Sequence, residues 1–194
     1  LNTYDNRLYA FGKGPSETAV SIQNDVVTSG SSALITGTVM DISTGTEEHG
    51  LRKRFPNGVP AVADESMSEW MQYVYMQHER PDVTGVTVKL EAVDPNGEYH
   101  LLGTTTTDPY GNYGFSFKPD VEGTWMIIAT FEGSESYWPS TATTYLQVEE
   151  AITPAVPITP EPEAPWLTTE LAIIMAIVAV AVIGLIGYWL IKKK

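Results

Sequence analysis

Met67, Met71 and His78 are the residues in this chain whose types and spacing come nearest to a reactive site. They fall at i, i+4 and i+11 of a helical pattern, so one face could offer thioether and imidazole ligands to Cu(I). The same spacing serves packing, because Met67, Trp70, Met71, Val74, Tyr75 and His78 make one apolar stripe of the kind that covers a neighbouring surface. Packing is the reading these residues favour, and an extracellular copper-handling module is the alternative. Glu65, Glu69 and His78 are titratable groups on the same stretch, but acid–base work would need a cleft to hold them. Asp94, Asn96 and Glu98 alternate like the start of an EF-hand loop. The remainder of that loop and its closing bidentate Glu are missing, so a hairpin turn accounts for them better. Arg52-Lys53-Arg54 could attract an acidic partner, although three adjacent charges are ordinarily a solvated loop. His49, His78 and His100 stand singly. No Gly-x-Ser-x-Gly, Walker or His-Glu-x-x-His pattern occurs, so no catalytic residue and no cofactor-binding residue is assigned and the chain reads as a non-enzyme.

Composition removes further chemistry. The 194 residues include no cysteine, which excludes a disulfide framework, a thiolate metal site, an iron–sulfur cluster and a cysteine nucleophile. The net charge of −13 argues against nucleic-acid binding, which needs clustered Lys and Arg to neutralise phosphates.

The elements that must position these residues are mostly strands. Short runs alternate apolar and polar residues over Ala33–Ile42, Val86–Val93, Tyr99–Thr106, Asn112–Phe117, Thr124–Phe131 and Thr143–Val148, with Thr18–Gln23 a weaker seventh. Asp94-Pro95-Asn96-Gly97 joins two runs, and its Asn-Gly pair predicts a tight hairpin with positive φ angles. Asp108-Pro109-Tyr110-Gly111-Asn112 does similar work. Seven strands at this spacing predict an immunoglobulin-like antiparallel β-sandwich over 15–150, with Tyr113, Phe115, Phe117, Trp125 and Ile127 in its packing. A Gly- and charge-rich loop, Thr44–Pro60, interrupts the strands, and a short helix is expected within about 64–80. Ser66 with Glu69 reads as a capping box and Pro81 as the stop.

The C-terminal third changes character. Pro154, Pro157, Pro160, Pro162 and Pro165 recur every two or three residues, which predicts a semi-rigid polyproline stalk over 151–168. From Leu171 to Ile191 there is neither a charge nor a proline, and about 20 such residues span a bilayer as a helix. Trp166, Tyr188 and Trp189 stand where interfacial aromatic residues belong, and Lys192, Lys193 and Lys194 place the tail inside the cell. The segment 169–194 therefore predicts a transmembrane helix with a basic cytoplasmic tail, in a single-pass plasma membrane protein whose bulk is extracellular. All 24 acidic residues and eight of the 11 basic ones precede Leu171, so the exterior part carries −16.

Two stretches resemble known families. Gly85–Leu90, Gly103–Asp108 with Gly111-Asn112-Tyr113, Phe115–Pro119, Gly123-Thr124-Trp125, Phe131–Ser134 and Tyr137–Ser140 are similar to the Ig-like repeats of bacterial and archaeal surface proteins. That resemblance implies turns, core and an adhesive or spacer role. Tyr4-Asp5-Asn6-Arg7-Leu8-Tyr9-Ala10-Phe11 resembles the repeat of PQQ-like β-propellers, with Asn6 where the repeat usually has Gly. Leu1 to Gly12 lacks an initiator Met and a basic leader, so residues 1–14 read as the end of a propeller blade in a longer protein. The whole order is similar to the C-terminal end of archaeal PQQ-like propeller-repeat surface proteins. The resemblance implies a surface binding or structural module with extracellular protein or surface-layer partners, and a lipid partner through Leu171–Ile191. An alternative is the anchor region of a quinone-dependent dehydrogenase. No cofactor is assigned to this chain, and the resemblance leaves open whether an upstream propeller holds PQQ or calcium.

Overall fold

A computed structural model of the protein describes residues 4, 6, 12–151 and 169–193, in two compact units, 1–152 and 153–194. Of the expected blade end and stalk, all but residues 4, 6, 12–14 and 151 lie outside the described residues.

Alternation with a period of two builds the first unit, because each strand turns one face inward. The strands are β1 (Ser16–Ile22), β2 (Val26–Thr28), β3 (Ala33–Asp41), β4 (Val59–Pro60), β5 (Thr87–Val93), β6 (Tyr99–Thr106), β7 (Asn112–Phe117), β8 (Gly123–Phe131) and β9 (Ser140–Glu149). One sheet centres on β3, which pairs with β1 on one edge and with β7 and then β4 on the other. The second runs β2-β9-β8-β5-β6. In β8, Trp125, Ile127, Ala129 and Phe131 are buried on one face and meet Ile35 and Val39 of β3 in a single core between the sheets. The protein is thus mainly β, a two-sheet sandwich with a short helical insertion and an apolar C-terminal helix.

The expected core residues behave in two ways. Trp125, Tyr113 and Ile127 are buried, whereas Phe115 and Phe117 are partly buried against them. Tyr113 Oη donates 2.7 Å to the Ala19 carbonyl. It does so across Gly37, where a Cβ would lie 2.3 Å from the hydroxyl, so a residue with a side chain does not fit.

β2 pairs in parallel with β9, and the other strand pairs are antiparallel. Four local expectations are corrected. The 94–97 turn is a tight hairpin, but its Asn-Gly pair does not supply two positive φ angles: Pro95 holds a negative φ, only Gly97 is positive (φ 85°), and Gly97 N–H bonds the Asp94 carbonyl at 3.0 Å. Three residues therefore close the loop, and Pro109 and Gly111 repeat the arrangement at Asp108. The Thr44–Pro60 segment is not all loop, because it holds a 3-10 turn (Thr44–Glu47), α1 (His49–Arg54) and the whole of β4. The capping box does not form. A 3-10 turn over Asp64–Ser66 runs straight into α2 (Met67–Met76), so Ser66 is already helical and makes no side-chain cap. Its hydroxyl accepts from Thr84 N–H at 3.0 Å instead. The stop falls at Gln77, which adopts the left-handed conformation (φ 58°), four residues before Pro81.

In the second unit, α3 (Thr169–Lys192) is a 24-residue helix with no buried side chain. At 1.5 Å per residue it is about 36 Å long, against roughly 30 Å for a hydrocarbon core. It is long and apolar enough to cross a membrane.

Candidate functional site

Residues 44–84 depart from the sandwich pattern and build a small core of their own. Leu51 of α1, Val59 and Val62 around β4, Trp70 and Val74 of α2, and Val83 are buried together. Trp70 is wholly inaccessible, with Phe55 edge-on at 5.8 Å and Tyr73 at 5.4 Å. Met67 belongs to both cores, packing against this cluster and against the sandwich.

Arg54 holds the two helices together. Its guanidinium donates to the Val74 carbonyl (2.8 Å) and the Tyr73 carbonyl (2.9 Å) near the end of α2, and lies 4.8 Å over the Tyr73 ring. Late helix carbonyls lack intrahelical donors, so a cation there satisfies both hydrogen bonding and the helix dipole. The basic run is thus only partly the solvated loop it resembles: Arg52 pairs with Glu47, while Arg54 is a structural clamp.

Asp64 ties this insertion to the β8–β9 connection. Its carboxylate accepts from Ser134 Oγ (2.8 Å), Glu135 N–H (3.0 Å) and Ser136 N–H (3.0 Å). Desolvation pushes its pKa up, but the bonds from Ser136, Glu135 and Ser134 together outweigh that and hold it below the usual 3.8. A depressed carboxylate stabilises the fold above its unfolded value, and the contribution disappears as pH falls through the folded value. Asp64→Asn should therefore lower the unfolding free energy read from urea denaturation at neutral pH, by no more than about 1 kcal/mol because the exposed carboxylate is screened. At about pH 3 the gap between the variant and the parent should narrow. An undiminished gap at acid pH would show that charge at Asp64 is immaterial.

Beside this clasp lies a groove of about 430 Å³, lined by Thr84, Thr87, Thr104, Thr106 and Lys89. Lys89 Nζ sits between Glu91 (2.8 Å) and Glu132 (3.2 Å). Bonds to those two carboxylates raise its pKa, so the amine stays protonated and is no nucleophile. Glu91, bonded by Lys89 and by the Tyr99 hydroxyl, is held low. Among the described residues, the displaced titratable groups move away from neutrality: Asp64, Glu91, Asp94 and Asp108 go down, and Lys89, Tyr99, Tyr113 and Tyr137 go up. General acids and bases are tuned the other way.

Of the copper candidates, Met67 is packed into both cores and Met71 is partly buried. His78 is exposed and lies beyond the left-handed Gln77, so the helical register that aligned it with the methionines ends before reaching it. Packing thus engages Met67. His78 lines a shallow depression with Glu69, Gln72, Glu79 and Pro81, and Glu65 lies apart from it on the 430 Å³ groove.

A different constellation appears where the sequence suggests only a turn. Asp94 Oδ1 accepts from Asn96 N–H (2.9 Å) and Glu98 N–H (2.7 Å), and Oδ2 accepts from Asn96 Nδ2 (3.1 Å). His100, two residues further along β6, brings Nε2 to 3.7 Å from Asp94 Oδ2. Ligand atoms of Asp94, Glu98 and His100 all lie within 4.8 Å of one another. Strand alternation from Glu98 to His100 was the available signal, since residues two apart share a face.

No family model matches the chain, and no curated protein matches it. Among solved structures, it is similar to Spo0M, a sporulation control protein from Bacillus subtilis, with TM-score 0.34 and 12% identity over 70% of this chain and 50% of that one. It is also similar to a β-glucosidase from Listeria innocua in complex with glucose, with TM-score 0.30 and 11% identity over 69% of this chain and 16% of that one. The chain thus spans half or less of each of those proteins, and likeness at this level carries no argument about function.

Proposed function

We propose that this protein is a membrane-anchored, non-catalytic surface module in which an acidic Ig-like sandwich is held outside the cell by α3. The observation that carries the reading is α3 itself: 24 residues with no buried side chain, among them Ile177, Ile183 and Leu185 at 63, 70 and 69% exposure. So much bare apolar surface is unstable in water and suits lipid, where the helix also satisfies its own backbone groups. Lys192 and Lys193 at the C-terminal end, each over an aromatic ring, favour the cytoplasmic side for that end.

A binding or structural role is favoured because Asp64, Glu91 and Lys89, which border the groove, are held in hydrogen bonds and ion pairs that move them away from neutrality. The insertion on α1 and α2 and the hydroxyl-lined groove beside it supply the relief on the sandwich that an extracellular protein or surface-layer partner would contact. The resemblance at Tyr4–Phe11 adds an upstream PQQ-like propeller as the domain that this module presents.

Deleting residues 169–194 tests the anchor. The intact chain should sediment with membranes and resist an alkaline wash, and the truncated chain should be soluble. If truncated protein still sediments and resists the wash, α3 is not the anchor.

A further inference from the structure

The two turns of the sandwich provide an internal comparison. Asp94-Pro95-Asn96-Gly97-Glu98-Tyr99-His100 and Asp108-Pro109-Tyr110-Gly111-Asn112-Tyr113-Gly114 share the pattern Asp-Pro-x-Gly-x-Tyr-x. Their backbone closures are also the same. Gly97 and Gly111 N–H bond the aspartate carbonyls at 3.0 and 2.9 Å, and Asp94 and Asp108 N–H bond the Glu98 and Asn112 carbonyls at 2.9 and 2.7 Å.

They differ in what faces the aspartate. In the second turn, Asn112 Nδ2 donates to both Asp108 oxygens, at 3.1 and 3.0 Å, and glycine follows at 114. A neutral amide therefore completes that turn. In the first, Glu98 puts a second carboxylate beside Asp94, which turn formation does not require, since only the Glu98 backbone is used. His100 stands in the place of Gly114. Its Nε2 is buried and has no hydrogen-bond partner, although part of the ring reaches solvent. The 3.7 Å between Nε2 and Asp94 Oδ2 is too long for a hydrogen bond. It is close to the roughly 3.4 Å that separates two ligands of a tetrahedral ion bound at about 2.1 Å.

We infer that Asp94, Glu98 and His100 form a divalent-metal site for Zn²⁺ at the β5–β6 turn. One imidazole with two carboxylates suits zinc, whereas Ca²⁺ and Mg²⁺ take oxygen ligands. Solvent completes the coordination, because Glu98 is exposed. The surroundings fix the ligands: two backbone amides orient Asp94, whose side chain is 2% exposed, and the Trp125 ring lies 5.4 Å from the imidazole. Such a site would brace the β5–β6 turn or present the open metal position to a partner's carboxylate or imidazole.

Isothermal titration of the full chain in detergent micelles with zinc chloride tests this. One equivalent should bind, and His100→Ala and Glu98→Gln should each weaken binding by about tenfold or more. Glu98→Gln changes an exposed side chain and keeps the turn's backbone bonds, so it reports even if His100→Ala fails to fold. Absence of zinc binding overturns the inference. So does equal affinity in the parent and Glu98→Gln, which would place any bound zinc elsewhere. Binding of calcium in preference to zinc contradicts the ligand chemistry.

Discussion

Trp70→Ala should disorder the insertion while the sandwich stays folded. Trp70 is completely buried in a cluster of six residues that is separate from the main core, with Met67 the partly buried residue common to both. Truncating a buried tryptophan costs about 3–5 kcal/mol, from lost transfer energy and the cavity left behind. A core this small has few other contacts to absorb that loss, and Phe55 and Tyr73 lose their ring partner. Hydrogen exchange should therefore accelerate throughout α1 and α2 but not in β5, β8 or β9. Trp70→Phe should be far milder. It keeps an aromatic ring, and it removes an indole N–H that is buried without a partner. Uniform acceleration across all strands in Trp70→Ala would show one cooperative unit rather than two cores. The contrast matters for function, because the insertion supplies the relief assigned to partner binding.

Much of this architecture was legible. β6 and β7 follow the predicted runs Tyr99–Thr106 and Asn112–Phe117, because alternation and Asp-Pro-x-Gly punctuation are both local signals. What escaped was short or non-local. β4 has two residues and β2 three, too few for a period to register. The parallel pairing of β2 with β9 joins residues about 120 apart in sequence, which no local pattern encodes. α1 is six residues with Leu51 as its one buried side chain; its dependence on Arg54 meeting α2 is a tertiary fact. The helix after Asp64 is legible through Trp70 and Val74, but its start is not, because the carboxylate of Asp64 and the hydroxyl of Ser66 bond other segments.

The candidate metal site shows the same division. Asp94 and Glu98 are alternating acids in the sequence, and a turn does explain Asp94. His100 looked isolated because its relation to Asp94 depends on the three-residue loop that Pro95 and Gly97 impose. With a two-residue loop the register of β6 against β5 would shift, carrying His100 to the other face. Val93 opposite Tyr99 and Ala92 opposite His100 are the pairs that set it.

Orientation of the chain across the bilayer is the second large effect, and the absence of cysteine makes it readable. A cysteine introduced into these 194 residues, expressed alone, is their sole thiol, so a membrane-impermeant maleimide reports one position at a time. Ser32→Cys places the thiol at an exposed position before β3, and Lys193→Cys places it just after α3. Neither lies in a core, so both variants should fold. In intact cells, Ser32→Cys should be labelled to completion, whereas Lys193→Cys should remain unlabelled until the membrane is permeabilised. Equal labelling of both positions in intact cells, or labelling of Lys193→Cys alone, would contradict an extracellular module held by a single inward-ending helix.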